Sequence, residues 1–220
     1  MTYFKSFAIL LAAPLLWACP TAKPPAPDET PPASLAVAND SADLPFIWPR
    51  SYDYMNEGAT LVFGGTRSWR HDSGIAGASN FWALEADTAG RGIFITEHPG
   101  VFAPDHLVKF DVIILNSMTG GILNGNQRAA LQNFVEGGGG LIMQHGSGDS
   151  SQAEEAEPWP WYADLLGTEF LSHPYDPHLQ DARVVTLATG HPVMAGLGDG
   201  FNHVDEWYSF TGPVGGDVTV

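Results

Sequence analysis

Four short stretches of the chain are nearly unbroken runs of apolar residues: TLVFGGT (60–66), GIFITEHP (92–99), DVIILNSM (111–118) and GLIMQHG (140–146). Such runs lack the alternation of a half-exposed strand and match strands buried on both faces of a parallel sheet. The intervening segments carry a helical period. IAGASNFWALEADTAG (75–90) closes on Gly90, and in NGNQRAALQNFVEGGGG (124–140) the apolar Ala130, Leu131, Phe134 and Val135 recur at helical spacing before a glycine stop. Strands alternating with helices predict an α/β fold, a doubly wound, mostly parallel sheet flanked by helices and joined by right-handed crossovers. Sheets of this kind bind ligands at the carboxyl ends of their strands. Residues 66–72, Glu97 with His98, 116–121 and 145–149 are therefore the places where chemistry is expected. Beyond residue 150 the pattern changes to an acidic loop (SSQAEEAE), a short aromatic helix in WPWYADLLG, and strand candidates in TEFLSHP, ARVVTLAT and VDEWYSF. No repeat of solenoid period is present, and no second domain is implied.

The two ends read differently from the middle. Residues 1–18, MTYFKSFAILLAAPLLWA, place one lysine ahead of an apolar stretch too short to span a bilayer, the form of a secretory signal. Leu16, Trp17, Ala18 and Cys19 resemble the bacterial lipobox, which makes Cys19 the expected site of lipidation and the mature N-terminus. Residues 19–49 hold eight of the 17 prolines and little apolar periodicity, a stiff tether ahead of a domain over 50–220. The last residues, GPVGGDVTV, read as a turn and the opening of a strand, so the domain is expected to lack its final strands. With Cys19 the sole cysteine, no intramolecular disulfide is available.

Composition narrows the partners. Across 220 residues there are 9 Lys plus Arg against 25 Asp plus Glu, a formal charge of −16. Such a surface repels phosphate backbones and argues against a nucleic-acid partner. The apolar fraction of 44% is enough for one hydrophobic core and too high for a disordered acidic chain.

Six segments carry polar and ionisable groups that a purely structural domain does not need: RHDS (70–73), NSMTGG (116–121), QHGSGDS (144–150), SHP (172–174), GHP (190–192) and DEWY (205–208). Together with WPWY (159–162) and the glycine run leading to His145, and in this order, they resemble the ThuA-like family of trehalose-utilisation proteins. That resemblance implies a flavodoxin-like fold related to class I glutamine amidotransferases, and a substrate among trehalose and related disaccharides. In amidotransferases the turn equivalent to LIMQHGSGDS presents a cysteine nucleophile. Here it holds Gln144, His145, Gly146 and Ser147, so thiol-dependent glutamine hydrolysis is excluded. Ser147 as a substitute nucleophile would need a general base within hydrogen-bond reach.

What remains is histidine chemistry. His71 follows the first strand, His145 the fourth, and His173 closes a later one, so three imidazoles can converge with carboxylates from Asp72, Asp205 and Glu206. This composition suits a zinc site with three protein ligands, His71, His145 and His173, and one open position. It equally suits metal-free acid–base catalysis, with Asp205 or Glu206 fixing a histidine tautomer. Trp69, Trp159, Trp161, Trp207 and Tyr208 offer flat faces for a sugar ring, with Trp159 and Trp161 also suited to the helix core. Asn116, Thr119 and Asp72 can hydrogen-bond hydroxyls. Only Arg67 and Arg70 lie near the expected mouth, which favours an uncharged polyol over an anion. Residues 117–121 can form a backbone nest, but no P-loop lysine follows, so nucleotide binding is not expected. His98, His191 and His203 read as structural residues of loops and strand edges.

Three functions compete on these grounds. The first is an enzyme of carbohydrate catabolism at the bacterial envelope, held to the membrane only by its N-terminal lipid. It would act on a disaccharide or its keto derivative, whose proton beside the carbonyl a histidine base can remove; isomerisation, elimination and hydrolysis share that first step. The second is a non-catalytic, lipid-tethered carbohydrate-binding module. The third is a structural envelope protein, which predicts no pocket at the strand ends.

Overall fold

A computed structural model describes Phe46 and residues 59–149, 158–187 and 190–211. The signal segment, Cys19, the tether, the acidic loop over 150–157 and the final strand expected after residue 212 lie outside the described residues.

The four apolar runs form β1 (Ala59–Phe63), β2 (Ile93–Thr96), β3 (Phe110–Asn116) and β4 (Gly140–Gln144). They make one sheet in the order β2-β1-β3-β4, parallel throughout, with Leu61 beside Phe94 and Ile113, and Ile113 in turn beside Leu141. The helices that cross between them are α1 (Asp72–Ala89), α2 (Pro104–Leu107) and α3 (Gly125–Glu136). Gly90 ends α1 in the left-handed conformation that its lack of a Cβ permits. Asn124 and Gln127 close a reciprocal capping box at the start of α3, which satisfies two otherwise orphaned backbone N–H groups. Leu61, Phe63, Ile113, Leu115 and Leu131 are fully buried between these layers. Among the described residues no helix is long and apolar enough to cross a membrane.

The later elements do not widen this sheet. α4 (Pro160–Leu166) packs Tyr162 and Leu166 into the core. β5 (Phe170–Ser172) pairs antiparallel with β8 (Ser209–Phe210), and β6 (Gln180–Val185) pairs antiparallel with β7 (Gly200–Asp205). VDEWYSF, which reads as one strand, is broken between Asp205 and Ser209. The break turns Glu206 inward, where its residue is 7% exposed.

Candidate active site

The β1–α1 connection sets the first histidine. Gly64 and Gly65 follow β1, and a Cβ on Gly65 would lie 2.4 Å from the Phe63 ring and 2.6 Å from the Glu97 carbonyl, so the backbone leaves the sheet where a side chain does not fit. Arg70 then fastens the loop. Its two terminal nitrogens hold the Glu97 carboxylate at 2.9 and 2.7 Å, and its Nε donates to Asp72 at 2.6 Å. His71, the next residue, is the N-cap of α1.

The β4 turn sets the second. His145 has φ of +48°, and Ser117, at the end of the neighbouring β3, has φ of +53°; both are left-handed conformations that a side chain makes costly. Strain of this kind persists where the surroundings hold it, and here it aims His145 out of the sheet's carboxyl edge. Ser147 is the residue that holds the turn. Its hydroxyl donates to the Leu115 carbonyl at 2.9 Å and accepts from the Met118 N–H at 2.8 Å, while Tyr162 donates to the Ser147 carbonyl. Fully buried, Ser147 ties β3 to β4, its hydroxyl engaged by backbone groups on both sides.

The remaining groups come from the antiparallel part. His173 follows β5, His178 precedes β6, and Glu206 and Tyr208 occupy the break between β7 and β8. All converge on the Glu206 carboxylate, whose side chain is 5% exposed. Its Oε2 faces His145 Nε2 at 3.1 Å and His71 Nε2 at 4.0 Å. Its Oε1 faces His173 Nδ1 at 3.9 Å and is in direct contact with His178 Nε2. The rings of His71 and His145 meet edge to face at 4.3 Å, and Tyr208 lies between His145 and His173 at 4.9 and 5.5 Å. Oε2 is buried yet has no hydrogen bond, so one acceptor is left open inside the cluster.

Electrostatics follow from this packing. Burial alone would push the Glu206 carboxyl up, but the imidazoles of His145, His173, His178 and His71 outweigh it and hold the group below its ordinary value. Burial and the neighbouring His145 push His71 down, in spite of Glu206 and Asp205, so His71 stays neutral. Burial, the Glu206 charge and a hydrogen bond to it raise the Tyr208 phenol, which remains a proton donor.

His71, His145, His173 and Glu206 are thus together, but the three imidazoles do not form one ligand set. Among the described residues, two groups have donor atoms within 4.8 Å of one another: His71, His145 and Glu206, and His173, His178 and Glu206. His178 escaped the sequence reading; its only signal is its spacing of five residues from His173 across PYDP. Among the residues expected to bind sugar, Tyr208 is in the cluster. Asn116 is buried, and its amide nitrogen donates to the Ile75 carbonyl and to Ser79, fastening α1 over β3. Thr119 donates to the Trp69 carbonyl at 2.6 Å, and Asp72, its side chain exposed, meets Arg70 Nε through Oδ1. Asp205 accepts from the Glu206 N–H and lies 3.4 Å from His203 Nε2. Trp207 donates to the Gln180 carbonyl at 2.6 Å, and Trp161 packs beside Trp159 against the core. Trp69, at 68% exposure, keeps a free face near the β1 end. His98 and His191 accept backbone N–H groups at short 3-10 turns.

Residues 59–220 match the family model of ThuA, described as trehalose utilisation. No curated protein matches the chain. Among solved structures the chain is similar to a ThuA-like protein from Bacteroides uniformis ATCC 8492, with a TM-score of 0.58 and 22% identity over 75% of this chain. The match spans 66% of that protein's length, and at this identity it speaks for the fold.

Proposed function

The chain belongs to the ThuA family, and from that premise we propose that it acts on an uncharged carbohydrate of the trehalose class, a disaccharide or its keto derivative, with the Glu206 histidine cluster as its reaction centre. One observation carries this reading: a nearly enclosed carboxylate stands at the carboxyl edge of the parallel sheet with four imidazoles around its two oxygens and one oxygen left without a hydrogen bond. A structural core gains nothing from such a grouping, because burying ionisable groups costs free energy that apolar packing avoids.

The reaction class follows from the groups present. A keto sugar carries an acidic proton beside its carbonyl, and removing it needs a base that is neutral near pH 7 together with a group that stabilises the enediolate oxygen. His71 is neutral in the fold and sits at the N-terminus of α1, whose dipole favours negative charge building up beside it. His145 Nε2 lies 3.1 Å from Glu206 Oε2, and its ring lies against that of His71, so two groups able to carry a proton share one wall. Tyr208, and the exposed ring of Trp69, supply flat faces for a sugar. The N-terminal sequence supports a place at the bacterial envelope, tethered through Cys19.

The test is turnover of a panel of disaccharides and keto-disaccharides by wild type, His145→Ala and Glu206→Gln. Both variants should fold and bind sugar with nearly unchanged affinity, while turnover falls by at least about 100-fold. Equal affinity with no turnover by the wild type on any keto-disaccharide would favour the carbohydrate-binding module.

A further inference from the structure

We infer that His173, His178 and Glu206 form a binding site for a zinc-like divalent cation, distinct from the His71 and His145 pair, with an open position for a sugar oxygen. The inference rests on the reading of the cluster as the reaction centre and assigns its two halves different work.

Donor type and spacing come first. Two imidazoles and one carboxylate are the ligand set of a class of catalytic zinc sites, which keep a fourth position open. The three donor atoms lie within 4.8 Å of one another, a spread that small side-chain rotations close around an ion about 2 Å from each. His178 Nε2 and Glu206 Oε1 are in direct contact, so the imidazole and the carboxylate face each other and a small rotation of either would let both face one ion. Glu206 itself is 5% exposed, so its charge is not neutralised by water. His178 is 44% exposed, which leaves the fourth position reachable from solvent.

The other half of the cluster is a poorer cation site. His71 caps the positive end of α1, an 18-residue helix whose first backbone N–H groups repel a cation and attract an anion. The carboxylate therefore divides its labour: Oε1 ligates the ion, and the unbonded Oε2 stays with His145 on the side of proton transfer. A cation on Oε1 would polarise a substrate oxygen placed between the two halves.

The full chain, stripped with a chelator and dialysed, is titrated with zinc alone, with bound metal counted by elemental mass spectrometry. Wild type and His71→Ala should each bind one zinc per chain, and His173→Ala and His178→Ala should bind it at least about tenfold more weakly. Because His178 is half exposed, its loss leaves the fold intact, which circular dichroism checks. Zinc lost in His71→Ala but kept in His178→Ala, two zinc ions per chain, or no zinc in the wild type would each overturn the assignment. Zinc bound as expected without turnover of any sugar would instead leave the metal site standing and overturn the proposed function.

Discussion

Glu206 is the residue on which the local physics turns. Buried carboxylates are raised by desolvation, and this one is lowered because four imidazoles lie around it. His71, in contrast, is kept neutral below its ordinary range. In the fold it binds fewer protons than in the unfolded chain, so its contribution to stability is complete above the unfolded value of about 6.5 and is lost as the pH falls from there through the folded value. Glu206 acts in the same direction over a more acid window, its contribution present above 4.5 and lost as the pH falls through its lower folded value. In chelator-treated protein the urea midpoint of the wild type should therefore fall more between about pH 7 and pH 5 than that of His71→Gln. Parallel declines would mean that His71 titrates as a free imidazole. At this scale the sequence shows the types of residue but not their company. His71, His145, His173 and Glu206 were legible because each sits next to a strand end or in a short polar motif. His178 was not, since a lone histidine in a loop before β6 carries no local signal. Asn116 reads as a sugar-binding residue in the sequence, and its amide nitrogen ties β3 to α1, because only tertiary contacts decide whether a polar side chain at a strand end points out or down.

Elements position these residues through a few ties. Arg70 joins the β1–α1 loop to the end of β2 through Glu97, and both side chains are about one-third exposed. Arg70→Met should therefore cost only about 1 kcal/mol of stability in urea denaturation, solvent screening most of the pair. Its effect on turnover should be larger, at least about tenfold, because His71 is the next residue and loses its anchor. Ser147→Ala should do the reverse. It strands the Met118 N–H and the Leu115 carbonyl in the core at about 1–3 kcal/mol, while turnover per folded molecule falls by less than in His145→Ala, since the imidazole stays; a loss matching that of His145→Ala would contradict a purely structural role for Ser147. The parallel strands and both long helices were legible because hydrophobic period and glycine stops are local. The break inside VDEWYSF was not, since Val204, Trp207, Tyr208 and Phe210 favour a strand, and the histidines that Glu206 meets in the break are distant in the chain.

For the molecule as a whole, the parallel sheet contributes His71 and His145, and the antiparallel strands contribute His173, His178 and Glu206. The site is thus assembled where two architectures meet, and neither half contains it. The family and the order of its motifs were readable along the chain, and the match over residues 59–220 agrees with them. A formal charge of −16 bears on the ligand as well: sugar phosphates should not compete with neutral disaccharides for binding, as isothermal titration would show. The most direct measurement places the full chain with a keto-disaccharide in deuterium oxide and follows the proton beside the carbonyl by NMR. Exchange of that proton by the wild type, lost in Glu206→Gln, is the predicted result. Exchange at the rate of buffer alone, or equally fast in the variant, would contradict a proton-transfer centre at Glu206.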